Sequence, residues 1–184
     1  MSFATYKLIV GLGNPGKEYI LTRHNVGFSA LSWLAKTLNL QEEFLVNKKI
    51  HARIMKGKIG RKEIIMIKPE TFMNDSGTAV QAALNFYKLT PADMLVIHDD
   101  KDIPLGETRM QVGRGPAGHN GVRSIIEKLD TRNFTRIRIG VGPLDNKITD
   151  TAVFVLGRFT KEESNKLKTI FDHVVNDIKT WLAS

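Results

Sequence analysis

The spacing of apolar residues changes several times along the chain, and each change marks a new element. Residues 6–12, Tyr-Lys-Leu-Ile-Val-Gly-Leu, are almost continuously apolar and run into glycines, which is how a strand buried on both faces reads. After the stretch 13–24, Phe28, Leu31, Leu34, Ala35 and Leu38 recur at helical spacing and predict a first amphipathic helix. The period then drops to two. Residues 51–58 and 63–68 alternate around Gly60-Arg61 and predict a β-hairpin. Val80, Ala83, Leu84 and Tyr87 mark a second helix, 94–97 a buried strand and 108–112 another strand. Val122, Ile125, Ile126 and Leu129 mark a third helix, and 136–141 a further strand. Thr160 and Glu163 form a capping-box pattern. It opens a last helix whose stripe runs through Leu167, Ile170, Phe171, Val174, Val175, Ile178 and Leu182.

Strands alternating with helices, plus one hairpin, imply one three-layer α/β domain over residues 1–184, with a mixed, mostly parallel sheet flanked by helices on both faces. A chain of 184 residues buries a sufficient core without a disulfide or metal staple. The apolar share of 42% and charged share of 25% exclude a disordered or collagen-like chain. Cysteine is absent, which removes disulfides, zinc–thiolate sites and a thiol nucleophile from consideration. The first residues lack a basic head followed by an apolar run, and 8–10 is too short to span a bilayer, so a cytoplasmic location and no membrane span are expected. The net charge of +8 points to a polyanionic partner. On charge alone RNA, DNA and an anionic membrane all remain open.

The first motif along the chain misleads. Gly11-Leu-Gly13-Asn-Pro-Gly16 has the G-x-G-x-x-G spacing of a dinucleotide-binding turn after a strand. That fold also needs the third glycine inside a helix leading to a parallel strand with an acidic end about 20 residues on. Pro15 and the following Lys-Glu-Tyr-Ile-Leu-Thr-Arg-His delay the helix past that point, so the glycines read as a tight turn. Asn14 is then the unexplained residue, an amide at the carboxyl end of a buried strand, where open α/β sheets place their ligands.

Similar polar residues recur at other strand ends. Strand 94–97 runs into His98-Asp99-Asp100-Lys101-Asp102, and the segment after 108–112 holds His119 and Asn120. Residues 68–74 end in Met73-Asn74, and Arg23-His24-Asn25 precedes the first helix. Four loops thus each offer a His, Asn or Asp, and a sheet that gathers them makes one cleft. A metal site could draw on His24, His119 and the carboxylates, but no H-E-x-x-H or H-x-H pair is present. A serine nucleophile lacks its G-x-S-x-G turn. Water remains, deprotonated by a neutral His whose other ring nitrogen an Asp holds, with side-chain amides for the oxyanion. His51, placed in a hairpin strand, and His173, in the last helix, read as structural or solvated.

These landmarks together resemble the bacterial peptidyl-tRNA hydrolases. They are residues 7–16, Glu18-Tyr19, 22–25, 68–74, His98-Asp99, 118–121 and Arg136-Ile-Arg-Ile-Gly-Val-Gly142, in the family's order and spacing from end to end. The resemblance implies hydrolysis of the ester joining a peptide to the 3′-terminal ribose of tRNA, releasing both for reuse in translation, with no cofactor and no metal. It implies His24 as the base that activates water and Asp99 as its partner. Asn14, Asn74 and Asn120 would bind substrate, His119 would line the cleft, and Tyr19 and Met73 would flank it. The charge then acquires a partner, the acceptor arm and 3′ end of tRNA, whose phosphates need Arg and Lys. Arg109, Arg114, Arg123 and Arg138 are the candidates, and Arg138 matches a basic position of the family. Gln111 stands where many members carry lysine, with Arg114 as a compensating charge, and Gly142-Pro-Leu where many carry a His before Pro. A monomer is expected. A noncatalytic RNA-binding relative of the same fold is the alternative, against which intact His24, Asp99 and Asn14 count.

Overall fold

The computed structural model describes residues 6–40, 43–143 and 148–184. The expectations about a leader segment in residues 1–5 and about Leu144 fall outside them. Seven strands form one sheet in the order β2-β3-β4-β1-β5-β7-β6. They are β1 (Lys7–Gly11), β2 (Leu45–Asn47), β3 (Ala52–Ile59), β4 (Lys62–Pro69), β5 (Met94–Pro104), β6 (Thr108–Val112) and β7 (Thr135–Gly142). The four central strands β4, β1, β5 and β7 are mutually parallel, while the edges pair antiparallel. The sheet is thus mixed, with its parallel part at the centre.

Each central strand alternates its apolar side chains between two cores, which is why its sequence is continuously apolar. Ile9, Leu95 and Ile97 point into one core, covered by α1 (Val26–Thr37) and α5 (Lys161–Ala183). Leu8, Val10, Met94 and Val96 point into the other, covered by α2 (Ser76–Tyr87) and α3 (Asn120–Leu129). Three layers result. Gly27 lets α1 settle onto the sheet, because a Cβ there would stand 2.5–2.6 Å from the Ile97 carbonyl and the Leu12 backbone. The hairpin turns where expected: Ile59 pairs with Lys62 across Gly60-Arg61, and Gly60 takes φ 59°. The capping box of α5 is present, with Glu163 N–H donating to Thr160 Oγ1 and Thr160 N–H to Glu163 Oε2.

Two expectations are corrected, and two short elements appear that the pattern did not show. β5 does not end at Ile97 but continues to Pro104, because β7 goes on pairing with it through His98, Asp99 and Asp100. The apolar pattern stops there since β5 has outgrown β1, whose last partner is Ile97. Past Asp100 the strand bulges, and Gly140 and Gly142 lie under it, where a Cβ would overlap the Pro104 and Lys101 carbonyls. His51 lies not in a strand but in the turn before β3, at φ 50°. The short edge strand β2 and the helix α4 (Thr151–Leu156) were not anticipated, being too short to show a period. As the delayed helix implies, Gly16 lies outside any helix, and two 3₁₀ turns (Lys17–Tyr19 and Arg23–Asn25) precede α1.

Candidate active site

At the carboxyl ends of β1, β4 and β5 a cleft of about 690 Å³ opens, the position where parallel sheets collect ligands. Asn14, His24, Met73, Asn74, Asp99, His119 and Asn120 all line it. They reach it from a turn after β1, two 3₁₀ turns (Arg23–Asn25 and Met73–Asp75), the interior of β5 and the start of α3. The polar residues therefore do converge, though Asp99 comes from a strand rather than a loop.

Asp99 is the hub. Its Oδ1 accepts hydrogen bonds from His24 Nδ1 at 2.8 Å and from His119 Nε2 at 2.9 Å. Burial alone would raise this carboxyl, but the imidazoles of His119 and His24 hold it far below the ordinary carboxylate range. His119 also caps α3, accepting from the Val122 N–H through Nδ1 at 3.3 Å. A nitrogen that accepts carries no proton, so neutral His119 is the Nε2–H tautomer. His24, donating through Nδ1, is the opposite tautomer, and its Nε2 lone pair is left for the cleft. His98, fully buried behind them, stands edge-on to His119 with centroids 4.6 Å apart. Its Nδ1–H donates to the Asp99 carbonyl at 2.7 Å, while Nε2 has no partner among the described residues. Burial, with His119 and Arg136 nearby, pushes its pKa well below the usual imidazole value, so it stays neutral.

His24, Asp99 and His119 also have metal-ligand chemistry, with ligand atoms within 4.8 Å of one another. An ion would sit roughly 2.0–2.2 Å from each ligand. Here both nitrogens instead face a single oxygen across hydrogen bonds, an arrangement that a cation would have to open.

Asn14 is held on three sides. Its N–H donates to Asn25 Oδ1 at 2.8 Å, its carbonyl accepts from Asn25 Nδ2 at 2.9 Å, and its own Oδ1 accepts from Met73 N–H at 2.8 Å. The Nδ2 donors remain uncommitted among the described residues. Asn25 and Arg23 were missed as site residues, having been read only as flanks of His24. Phe72, Val155 and Leu156 give the cleft apolar walls, the last two from the unanticipated α4. Arg23 ties that helix to the turn bearing His24. Its guanidinium lies 4.5 Å from the Phe154 ring, its Nη2 donates to Glu163 Oε2 at 2.7 Å, and its N–H donates to the Gly157 carbonyl.

Other expected residues lie outside the cleft. Tyr19 is half-buried and does not line it. Arg109, Arg114 and Arg123 are exposed, and Arg109 pairs with Glu107 at 3.1 Å. Arg138 is half-buried and engaged, donating to Asp100 Oδ2 at 2.7 Å and to Gln111 Oε1 at 2.8 Å. Arg136, buried, donates to the Arg114 and Gly115 carbonyls and so pins the segment before His119. Burial pushes its pKa down to about 10.

Fold and cleft together define a three-layer α/β domain with a ligand cleft at the carboxyl ends of its central strands. The family model for peptidyl-tRNA hydrolase matches residues 8–184, and the chain belongs to that family. It is 44% identical over 169 residues to a peptidyl-tRNA hydrolase of Aquifex aeolicus, covering 92% of this chain and 86% of that one. It is 42% identical over 177 residues to one of Geobacter sp. strain M21, covering 96% and 91%. A crystal structure of peptidyl-tRNA hydrolase from Acinetobacter baumannii superposes with a TM-score of 0.87 at 34% identity, covering 100% of this chain and 91% of that one. Among the described residues, no helix is long and apolar enough to cross a membrane.

Proposed function

We propose that this protein hydrolyses the ester between a peptide and the 3′-terminal ribose of a tRNA, with water as nucleophile. The observation that carries the reading is the His24 Nδ1–Asp99 Oδ1 hydrogen bond at 2.8 Å, which leaves Nε2 as the only free base nitrogen of His24. His24 Nε2 takes a proton from water as the oxygen attacks the ester carbonyl, and Asp99 stabilises the imidazolium that forms. Amide donors from Asn14, Asn74 and Asn120 meet the oxyanion. As the tetrahedral intermediate collapses, the imidazolium returns its proton to the departing ribose 3′-oxygen. His119 keeps Asp99 in place from the other side. Each of these two devices typically supplies about two to four orders of magnitude in rate, enough for an activated ester.

Met73, on the cleft floor, would lie under the peptide. Tyr19 would act beyond the cleft, on the tRNA end. Arg109, Arg114 and Arg123 are the exposed cations that would face acceptor-arm phosphates, while Arg138 would do so only by exchanging Asp100 for phosphate. The reaction so drawn uses no cofactor, and we place it in the cytoplasm, in a monomer that recycles tRNA for translation. The test is release of N-acetyl amino acid from N-acetyl-aminoacyl-tRNA in EDTA. Wild-type cleavage, with a loss of at least about two orders of magnitude in His24→Ala, supports the mechanism. Cleavage that EDTA abolishes and zinc restores would overturn it.

A further inference from the structure

A second cleft, of about 450 Å³, lies on the other side of Asn14, which lines both. Its chemistry differs from that of the first. Lys17, Arg53 and Lys68 line it against a single carboxylate, Glu70. Arg53 and Glu70 pair with each other, which leaves Lys68 as the inner cation. The Lys68 ammonium donates to Ser32 Oγ at 2.6 Å and lies over the Phe44 ring at 4.2 Å and the Phe28 ring at 5.9 Å. No carboxylate among the described residues forms an ion pair with it. Burial, with Arg53 nearby, lowers its pKa to about 8, the behaviour of a desolvated ammonium.

The sheet order says which part of a substrate could reach it. Arg53 and Lys68 stand on β3 and β4, to one side of β1. Arg109 stands on β6, and Arg114 just after it, at the opposite edge. With the ester at His24 and the tRNA on the arginine edge, the chain leaving the ester the other way is the peptide. Asn14 lines both clefts, so a peptide running upstream from the ester toward Lys68 passes beside it. The Asn14–Asn25–Met73 hydrogen bonds form the partition that the peptide must pass.

We propose that the Lys68 cleft is a peptide subsite that selects acidic side chains just upstream of the esterified residue. This rests on the reading of the first cleft as the ester site. An aspartate or glutamate there supplies a counter-ion that Lys68 does not have among the described residues, whereas a lysine meets three cations.

The experiment compares kcat/KM for N-acetyl-Glu-Ala-tRNA, N-acetyl-Lys-Ala-tRNA and N-acetyl-Ala-tRNA in wild type, Lys68→Met and Lys68→Glu. The Glu-to-Lys ratio is read within each variant, so a general loss of folded protein cancels. The expected ratio is about tenfold in wild type, near one in Lys68→Met, which keeps an apolar stem over the two rings, and inverted in Lys68→Glu. A ratio unchanged by either substitution overturns the proposal. So does an equal loss on all three substrates, which leaves the ratio at its wild-type value. If wild type cleaves none of them, the reading of the ester site fails; if it cleaves all three at one rate, only the subsite does.

Discussion

Arg23 and Glu163 join at 2.7 Å across 140 residues of chain, and through this pair the turn carrying His24 is bolted to the cap of α5. Arg23 also rests against Phe154 of α4, so one guanidinium holds base and cleft wall in register. Arg23→Met is expected to cost about 2–3 kcal/mol, below the usual range for a broken buried pair because Glu163 is partly exposed. Urea unfolding measures this. The kcat should fall further than stability alone explains, and Arg23→Lys should not restore it, since an ammonium cannot fork between Glu163 and the Phe154 carbonyl, to which Arg23 Nη1 donates at 3.4 Å. Full activity in Arg23→Met would separate the wall from the base.

Asp99 serves two imidazoles through one oxygen, so its substitution acts on both. Asp99→Asn leaves an acceptor of the same shape but removes the charge that stabilises imidazolium, and a loss on the order of 10²–10⁴ in kcat is expected. His119→Gln should cost less, because His24 keeps its partner. Single-turnover hydrolysis of N-acetyl-aminoacyl-tRNA distinguishes them. Equal losses would mean that His119 itself takes part in proton transfer.

Most of this site was legible because the chemistry falls where the apolar pattern breaks: Asn14 after one buried run, His98-Asp99 after another. The helices α1, α2, α3 and α5 and the hairpin were legible because each is long enough to repeat its period. The continuation of β5 was not, since its partner β7 is distant in sequence and a local pattern carries no record of it. Arg23 escaped notice for a related reason: its partners Phe154 and Glu163 are brought to it only by the fold. Arg138 showed as a free cation because its counter-charge, Asp100, stands on a neighbouring strand.

Acid should weaken the fold in two stages. His98 is held neutral by burial, with His119 and Arg136 adding to the effect. Its folded pKa lies below the unfolded value of about 6.5, so the unfolded chain binds the extra proton. Stability is then full above about pH 6.5 and falls as the pH drops below it, by up to about 1.4 kcal/mol per pH unit. Asp99 and Glu163 have lowered carboxyl pKa values, so their contribution is present above the ordinary carboxylate range and is lost only below roughly pH 4. Unfolding free energies of wild type and His98→Asn between pH 5 and 7 check the first stage. The variant should lose the slope, and two parallel curves would refute this account of His98.

Two glycine-to-alanine changes should separate fold from function. At Gly121 an added Cβ would stand 2.5 Å from Met73 Sδ, 3.0 Å from Leu12 Cδ1 and 3.2 Å from His119 Cε1. All three are side-chain atoms, and a thioether yields readily. Gly121→Ala should therefore fold, losing about 1 kcal/mol of stability, while Met73 and His119 shift and kcat/KM falls by about tenfold. At Gly27 the same methyl meets only backbone, the Ile97 carbonyl and the Leu12 peptide groups. Strand and helix must part, and a loss of about 3 kcal/mol or more is expected. Thermal unfolding beside kcat/KM reads both. If Gly121→Ala keeps full activity, catalysis does not depend on the present positions of Met73 and His119.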